Sequence, residues 1–173
     1  MLHVGVHRYV FTVWSFALKV PRIAICEFLK LVIEDIKNRK RYWCSWHWFV
    51  EVVFDGLKEN FREASCYLNT KHSLLTRLYV PLLLINVYHR EKGVGSFSFG
   101  GEELFDEVCK AGDREFVEAL RPCSHTFDHP DNFAYSEGRV RVLDYGERGF
   151  ENLLNKYGDK VERILLSKVK QSA

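Results

Sequence analysis

Apolar and polar positions alternate along this chain with two different periods, and the switches between them predict its elements. Residues 4–20 are rich in Val, Phe, Tyr, Thr and Trp, and read as two strands, 9–13 and 16–20. Pro21 ends the second strand, because proline has no amide hydrogen to give to a ladder. Over 27–39 the period changes: Leu29, Val32, Ile33 and Ile36 recur at helical spacing, with Lys30, Glu34 and Asp35 elsewhere on the wheel. Residues 42–54 are apolar almost all round, which fits a buried helix or a strand equally. Asp55-Gly56 reads as a break before a second helix over 57–68.

Residues 74–89 read as one or two buried strands, with Pro81 at a bend or an edge. Glycines 93, 95, 100 and 101 mark a loop. A helix is expected over 102–111, with acidic residues where the helix dipole favours them. Asp113 is placed to cap another helix running to Leu120. Residues 122–132 read as a loop. Residues 133–135 and 140–143 read as short strands joined by Ser-Glu-Gly, and 150–169 as a closing helix. Strands, then helices, then strands and helices again make an α+β pattern and not a strict βαβ alternation.

Composition narrows the function classes. The 173 residues carry 25 Lys and Arg against 23 Asp and Glu, a net charge of +2. A dedicated nucleic-acid binder carries a larger basic excess, so no nucleic-acid partner is expected. The basic run at 37–41 reads as a solvated helix end. The most apolar stretch, 74–88, is interrupted by Arg77 and Pro81 and falls short of the ~20 residues of a spanning helix, so no membrane association is expected. The start of the chain lacks the pattern of a signal peptide. Five scattered cysteines, at 26, 44, 66, 109 and 123, suit reduced thiols and a cytoplasmic protein. Zinc would need a closed set of four ligands; Cys44 with His47, and Cys123 with His125 and His129, are the nearest approaches and read better as packing. The aromatic run 42–49 reads as a buried helix, or as a partner-binding patch if exposed.

The candidate chemistry lies in the string HPDNFAYSEGRVRVLDYG, residues 129–146. Asn132 and Asp144 offer the hard oxygen donors that Mg²⁺ prefers, and the hairpin between them brings both to one end. This string resembles the metal-binding part of the protein-kinase-like superfamily, and divergent bacterial and phage members carry a similar H-x-x-N, hairpin and D-Y-G. Asp144-Tyr145-Gly146 resembles the D-F-G motif, and His129 to Phe133 the end of the catalytic loop.

The resemblance implies a small bilobal kinase-like fold with a truncated C-terminal lobe. Residues 1–92 would form the N-lobe-like part and 93–173 the C-lobe-like part, in a single compact unit. It implies ATP and Mg²⁺ as cofactors, with Asn132 and Asp144 as metal ligands. Phe16-Ala17-Leu18-Lys19-Val20 resembles the strand of the phosphate-binding lysine, which makes Lys19 that lysine and Glu63 its orienting partner, with Glu59 as second candidate. Tyr88 to Lys92 would be the adenine-binding hinge. The family's base aspartate falls five residues before the asparagine, where this chain has Phe127, so Asp128 is the nearest substitute. Only Gly5 precedes Tyr9 where the family has a glycine-rich loop, no A-P-E follows, and the chain ends 29 residues after Asp144. The resemblance therefore implies either a phosphotransferase acting on a protein or small-molecule hydroxyl, or a pseudokinase-like module that acts by binding a protein partner.

Overall fold

The computed structural model describes residues 2–4, 7–22, 25–38, 43–82, 84–95 and 101–169. Gly5, residues 39–42 and residues 96–100 lie outside them, and with them parts of the expected glycine loops, the basic run and the aromatic run. The architecture is mixed α+β with antiparallel sheets.

Five strands form one sheet in the order β1 (Leu2–Val4), β2 (Arg8–Val13), β3 (Phe16–Pro21), β5 (Asn86–His89) and β4 (Leu78–Pro81). The register pairs Val10 with Lys19 and Lys19 with Asn86, which puts Lys19 on the central strand. Pro21 closes β3 and Pro81 closes β4, an edge strand whose last three residues are exposed. The expected pair of buried strands over 74–89 is thus one exposed edge and one inner strand.

Helices α1 (Ile25–Lys37) and α2 (Trp43–Thr70) follow the first three strands. Here the structure corrects the sequence reading: Gly56 does not break a helix but lies inside one helix of 28 residues. A Cβ at Gly56 would stand 2.5 Å from the His7 carbonyl oxygen and 3.2 Å from Pro21 Cβ. The missing side chain is what lets α2 pass this close to the sheet. Gly56→Ala is expected to cost about 1–3 kcal/mol through overpacking, read as a lower urea midpoint; an unchanged midpoint would mean that the β1–β3 side gives way freely.

The remaining residues build the main core. Helices α3 (Gly101–Lys110), α4 (Arg114–Leu120) and α6 (Phe150–Lys168) surround a hairpin of β6 (Phe133–Ser136) and β7 (Arg139–Val142). Asp113 caps α4, its carboxylate accepting from the Phe116 amide at 2.9 Å. Glu137 and Gly138 turn the hairpin with φ of 54° and 73°, the pair of positive values that two-residue hairpin turns require. The expected loop over 122–132 instead contains 3₁₀ turns at Arg121–Cys123 and Pro130–Asn132 and a short helix, α5 (Ser124–Phe127). Phe127, Phe133, Tyr145 and Phe150 are fully buried together. Both edges of the hairpin are covered: the Val142 amide donates to Leu74 O at 2.7 Å, and the Gly95 amide to Phe133 O at 3.0 Å. Among the described residues no helix is long and apolar enough to cross a membrane.

Candidate functional site

The sheet, α2 and the end of the hairpin meet around a cleft; β3 and the segment after β7 each send one charged side chain into it, and α2 sets a buried one beneath it. Lys19 comes from the middle of β3. Glu63 comes from the sixth turn of α2, whose packing against β3 is reinforced by Asn60 Nδ2 donating to the Lys19 carbonyl at 3.5 Å. Asp144 follows β7, with its backbone held in place by the Leu143 amide donating to Asn132 O at 2.6 Å. Lys19 and Glu63, 44 positions apart, meet with Nζ 2.6 Å from Oε1. The same ammonium donates to Leu143 O at 2.6 Å and lies 3.9 Å from Asp144 Oδ1. Glu59, the second candidate one turn earlier, does not pair with Lys19 but with Arg8.

Arg8 is the site residue that the sequence did not reveal. Its guanidinium lies 3.0 Å from Glu59, 2.9 Å from Glu63 and 2.7 Å from Asp144. One cation thus ties α2 to the residue after β7. Tyr88 closes the cluster from β5, its hydroxyl donating to Glu63 Oε2 and accepting from Asn86 Nδ2 at 3.1 Å. Glu63 is completely buried, so each of its oxygens needs these donors. Burial alone would raise the Asp144 pKa; the charge of Arg8, and then of Lys19, outweighs it and holds the carboxyl well below the usual range. Burial, and then the Glu63 charge, pushes the Tyr88 phenol well above its ordinary value, so it stays a donor.

The cleft has two adjoining parts that share Val10, Lys19, Asn132 and Asp144. The inner part, about 580 Å³, is walled by apolar Val10, Ala17, Tyr88 and Leu143 and bordered by the segment His89 to Glu91. Tyr88 itself turns inward toward Glu63, so only the residues after it follow the edge of this part. The outer part, about 490 Å³, is distinguished by the charged residues that line it, Arg8, Arg62 and Arg148 with Glu59 and Glu147, and by His125.

No protein-family model matches this sequence, and no curated protein matches it.

The other expected residues fall as follows. Asn132 Nδ2 donates to Thr126 O at 3.1 Å, and the residue lines both parts of the cleft. Both cation contacts of Asp144 use Oδ1, and Oδ2 forms no ion pair among the described residues. Asp128 lines neither part of the cleft; it caps α5, its amide donating to Ser124 O at 2.9 Å. Glu147, by contrast, lines the outer part, and its Oε2 accepts from the Thr126 amide at 2.9 Å and hydroxyl at 3.0 Å.

Of the cysteine and histidine candidates, the side chain of Cys44 lies outside what is described, and Cys123, His125 and His129 do not converge on one point. Cys123 is buried and its thiol points to Arg148 O at 3.7 Å, while His125 and His129 stack edge to face at 4.7 Å. One group, His72, Asp159 and Glu162, comes close enough to hold a metal. There, however, the Leu74 amide donates to His72 Nδ1 at 3.0 Å, so the proton sits on Nε2, the atom 3.4 Å from Asp159. This is a hydrogen-bonded link between the α2–β4 connection and α6. The aromatic run 42–49, within the described residues, opens α2 and packs on α1: Phe49 lies 4.8 Å and Trp46 5.8 Å from Phe28, with Trp46 still half exposed.

Proposed function

We propose that this chain binds ATP with Mg²⁺ in a small protein-kinase-like arrangement of two lobes. The observation that carries this reading is the buried Lys19–Glu63 pair, set at 2.6 Å beside Asp144 and at the junction of an apolar-walled and a charge-lined chamber. A nucleotide needs that combination: an apolar wall for a purine, and fixed cations for phosphates. Val10, Ala17 and Leu143 would take the base along the 88–92 segment. Lys19, oriented by Glu63, would take the phosphates. Asp144 through Oδ2 and Asn132 through its amide oxygen would hold the metal. When bound, Mg²⁺ would neutralise phosphate charge as it builds up in transfer.

Phosphate transfer also needs a carboxylate beside the acceptor hydroxyl. Glu147 supports that part better than Asp128, because it lines the outer chamber and Asp128 does not. The second reading is a pseudokinase-like binding module, favoured by Phe127, which occupies the base position in sequence and is buried in the core.

The test is thermal unfolding with and without Mg²⁺–ATP. At about 100-fold excess over the dissociation constant, bound nucleotide should stabilise the chain by about 2.7 kcal/mol. Asp144→Asn should lose most of that gain in the presence of Mg²⁺. Absence of any shift in the wild type sinks the nucleotide reading. A shift without transfer of labelled phosphate, to the chain itself or to candidate proteins, selects the binding module.

A further inference from the structure

On the far side of the 89–94 segment from the cleft lies a second, larger concavity of about 990 Å³. Its walls are the β2–β3 turn, β4 and the distal end of the β6–β7 hairpin. Five cations line it: Arg77, Arg90, Lys92, Arg139 and Arg141. Two carboxylates share it, Glu91 and Glu137. With His89 neutral, this surface carries a net +3, more than the +2 of the whole chain, so the rest of the molecule is net negative. Moreover, Glu91 is nearly buried, with a side-chain exposure of 9%, and faces Arg141 at 3.9 Å. Arg77, Arg90, Lys92 and Arg139 are exposed, against one exposed carboxylate, Glu137. What the groove presents outward is therefore mainly cationic.

An aromatic side chain is set at its rim. Trp14 is 87% exposed and stands at a φ of 50°, a conformation that a bulky residue rarely adopts. The turn is held from the groove itself: the Arg90 amide donates to Ser15 O at 2.8 Å, and Arg90 Nη1 to Trp14 O at 3.2 Å. The indole makes no ring contact among the described residues, so packing within the fold does not explain it. A buttressed, exposed indole beside exposed cationic side chains is the composition of a binding surface.

Its chemistry distinguishes two kinds of polyanion. A single-stranded nucleic acid wants a row of free ring faces on which successive bases stack. Here the other exposed ring, Tyr79, is already covered by Arg77 at 5.1 Å and met at its edge by Phe16 at 5.6 Å. That leaves one free ring and several arginine forks, which suit carboxylates spaced along a peptide and one apolar anchor. We propose that this groove docks an acidic peptide segment of a partner protein, with Trp14 receiving one apolar side chain of that segment. The inference does not rest on the nucleotide reading.

The experiment is fluorescence anisotropy on the full chain, with three labelled probes: a Glu/Asp-rich peptide bearing one Leu, its Lys-substituted counterpart, and a thymidine oligonucleotide of equal charge. The acidic peptide should bind saturably and weaken as salt rises. Arg77→Glu with Arg139→Glu should weaken it by about tenfold or more, since charge-reversed contacts repel. Trp14→Ala should weaken it by a smaller factor. Arg114→Glu with Arg163→Glu, an equal charge change on the exposed faces of α4 and α6, should leave it within about twofold. Should the groove double variant fail to fold, Arg139→Glu alone and Trp14→Ala decide. No saturable binding of the acidic peptide, equal loss in the α4–α6 variant, or tighter binding of the oligonucleotide would each overturn the proposal.

Discussion

Phe127→Asp will unfold the chain instead of equipping it with a base. The substitution places a carboxylate where the kinase-like pattern has one, so sequence alone suggests a gain of activity. The structure gives the opposite expectation. Phe127 is fully buried, 5.5 Å from Phe133 and 6.3 Å from Phe150 by ring centroid. Emptying such a site costs about 3–5 kcal/mol, and an unpaired carboxylate in the same place adds a desolvation cost of several kcal/mol. Domains of this kind are stable by only about 5–15 kcal/mol. Circular dichroism and urea titration should show a chain that is largely unfolded at 25 °C, or within a small amount of denaturant of being so. A variant with a near-wild-type midpoint would mean that the aspartate has found the cleft, and that the Phe127 packing described above is wrong.

The second large effect is expected at Glu63, and its size depends on which partner is removed. Glu63→Ala leaves Lys19 and Arg8 facing one another near a buried void, with Asp144 and the half-buried Glu59 as the remaining counter-charges. Breaking a buried pair from this side should cost about 3–5 kcal/mol. Lys19→Met should cost clearly less, because Glu63 keeps Arg8 at 2.9 Å and the Tyr88 hydroxyl. Chemical denaturation of the two single variants and the double variant measures the asymmetry and the coupling. Equal losses for Glu63→Ala and Lys19→Met would mean that Arg8 does not share the burden.

Much of the architecture was legible because local chemistry dictated it. Asp113 capping α4, the Ser-Glu-Gly connection of the hairpin, and the strand ended by Pro21 each depend on residues within a few positions. The approach of Lys19 to Glu63 was legible only through the family resemblance, since nothing local brings β3 to the sixth turn of α2. Arg8 went unseen for a related reason. An arginine in a strand usually reaches solvent, and its three carboxylate partners lie 51 to 136 positions away. Gly56 misled because glycine inside an apolar pattern commonly marks a break, whereas here it marks a close approach. β1 was missed because three residues are too few for periodicity to register. Asp128 drew attention by its type and its place in the motif, yet whether a residue ending a short helix faces a cleft depends on a turn geometry that its neighbours do not specify.

The unbroken α2 has a mechanical consequence. It is a stiff rod whose tightest approach to the sheet is at Gly56, against the His7 carbonyl and Pro21. Trp46 lies on one side of that fulcrum and Glu63 on the other, at about 15 Å and about 10 Å along the axis. A load applied to the half-exposed Trp46 end would swing Glu63 the opposite way by roughly two-thirds as much, following the ratio of those arms. An excursion of about 1 Å at Glu63 takes a 2.6 Å ion pair beyond hydrogen-bonding range, so traction on the aromatic end is a means of uncoupling Lys19 without touching the cleft.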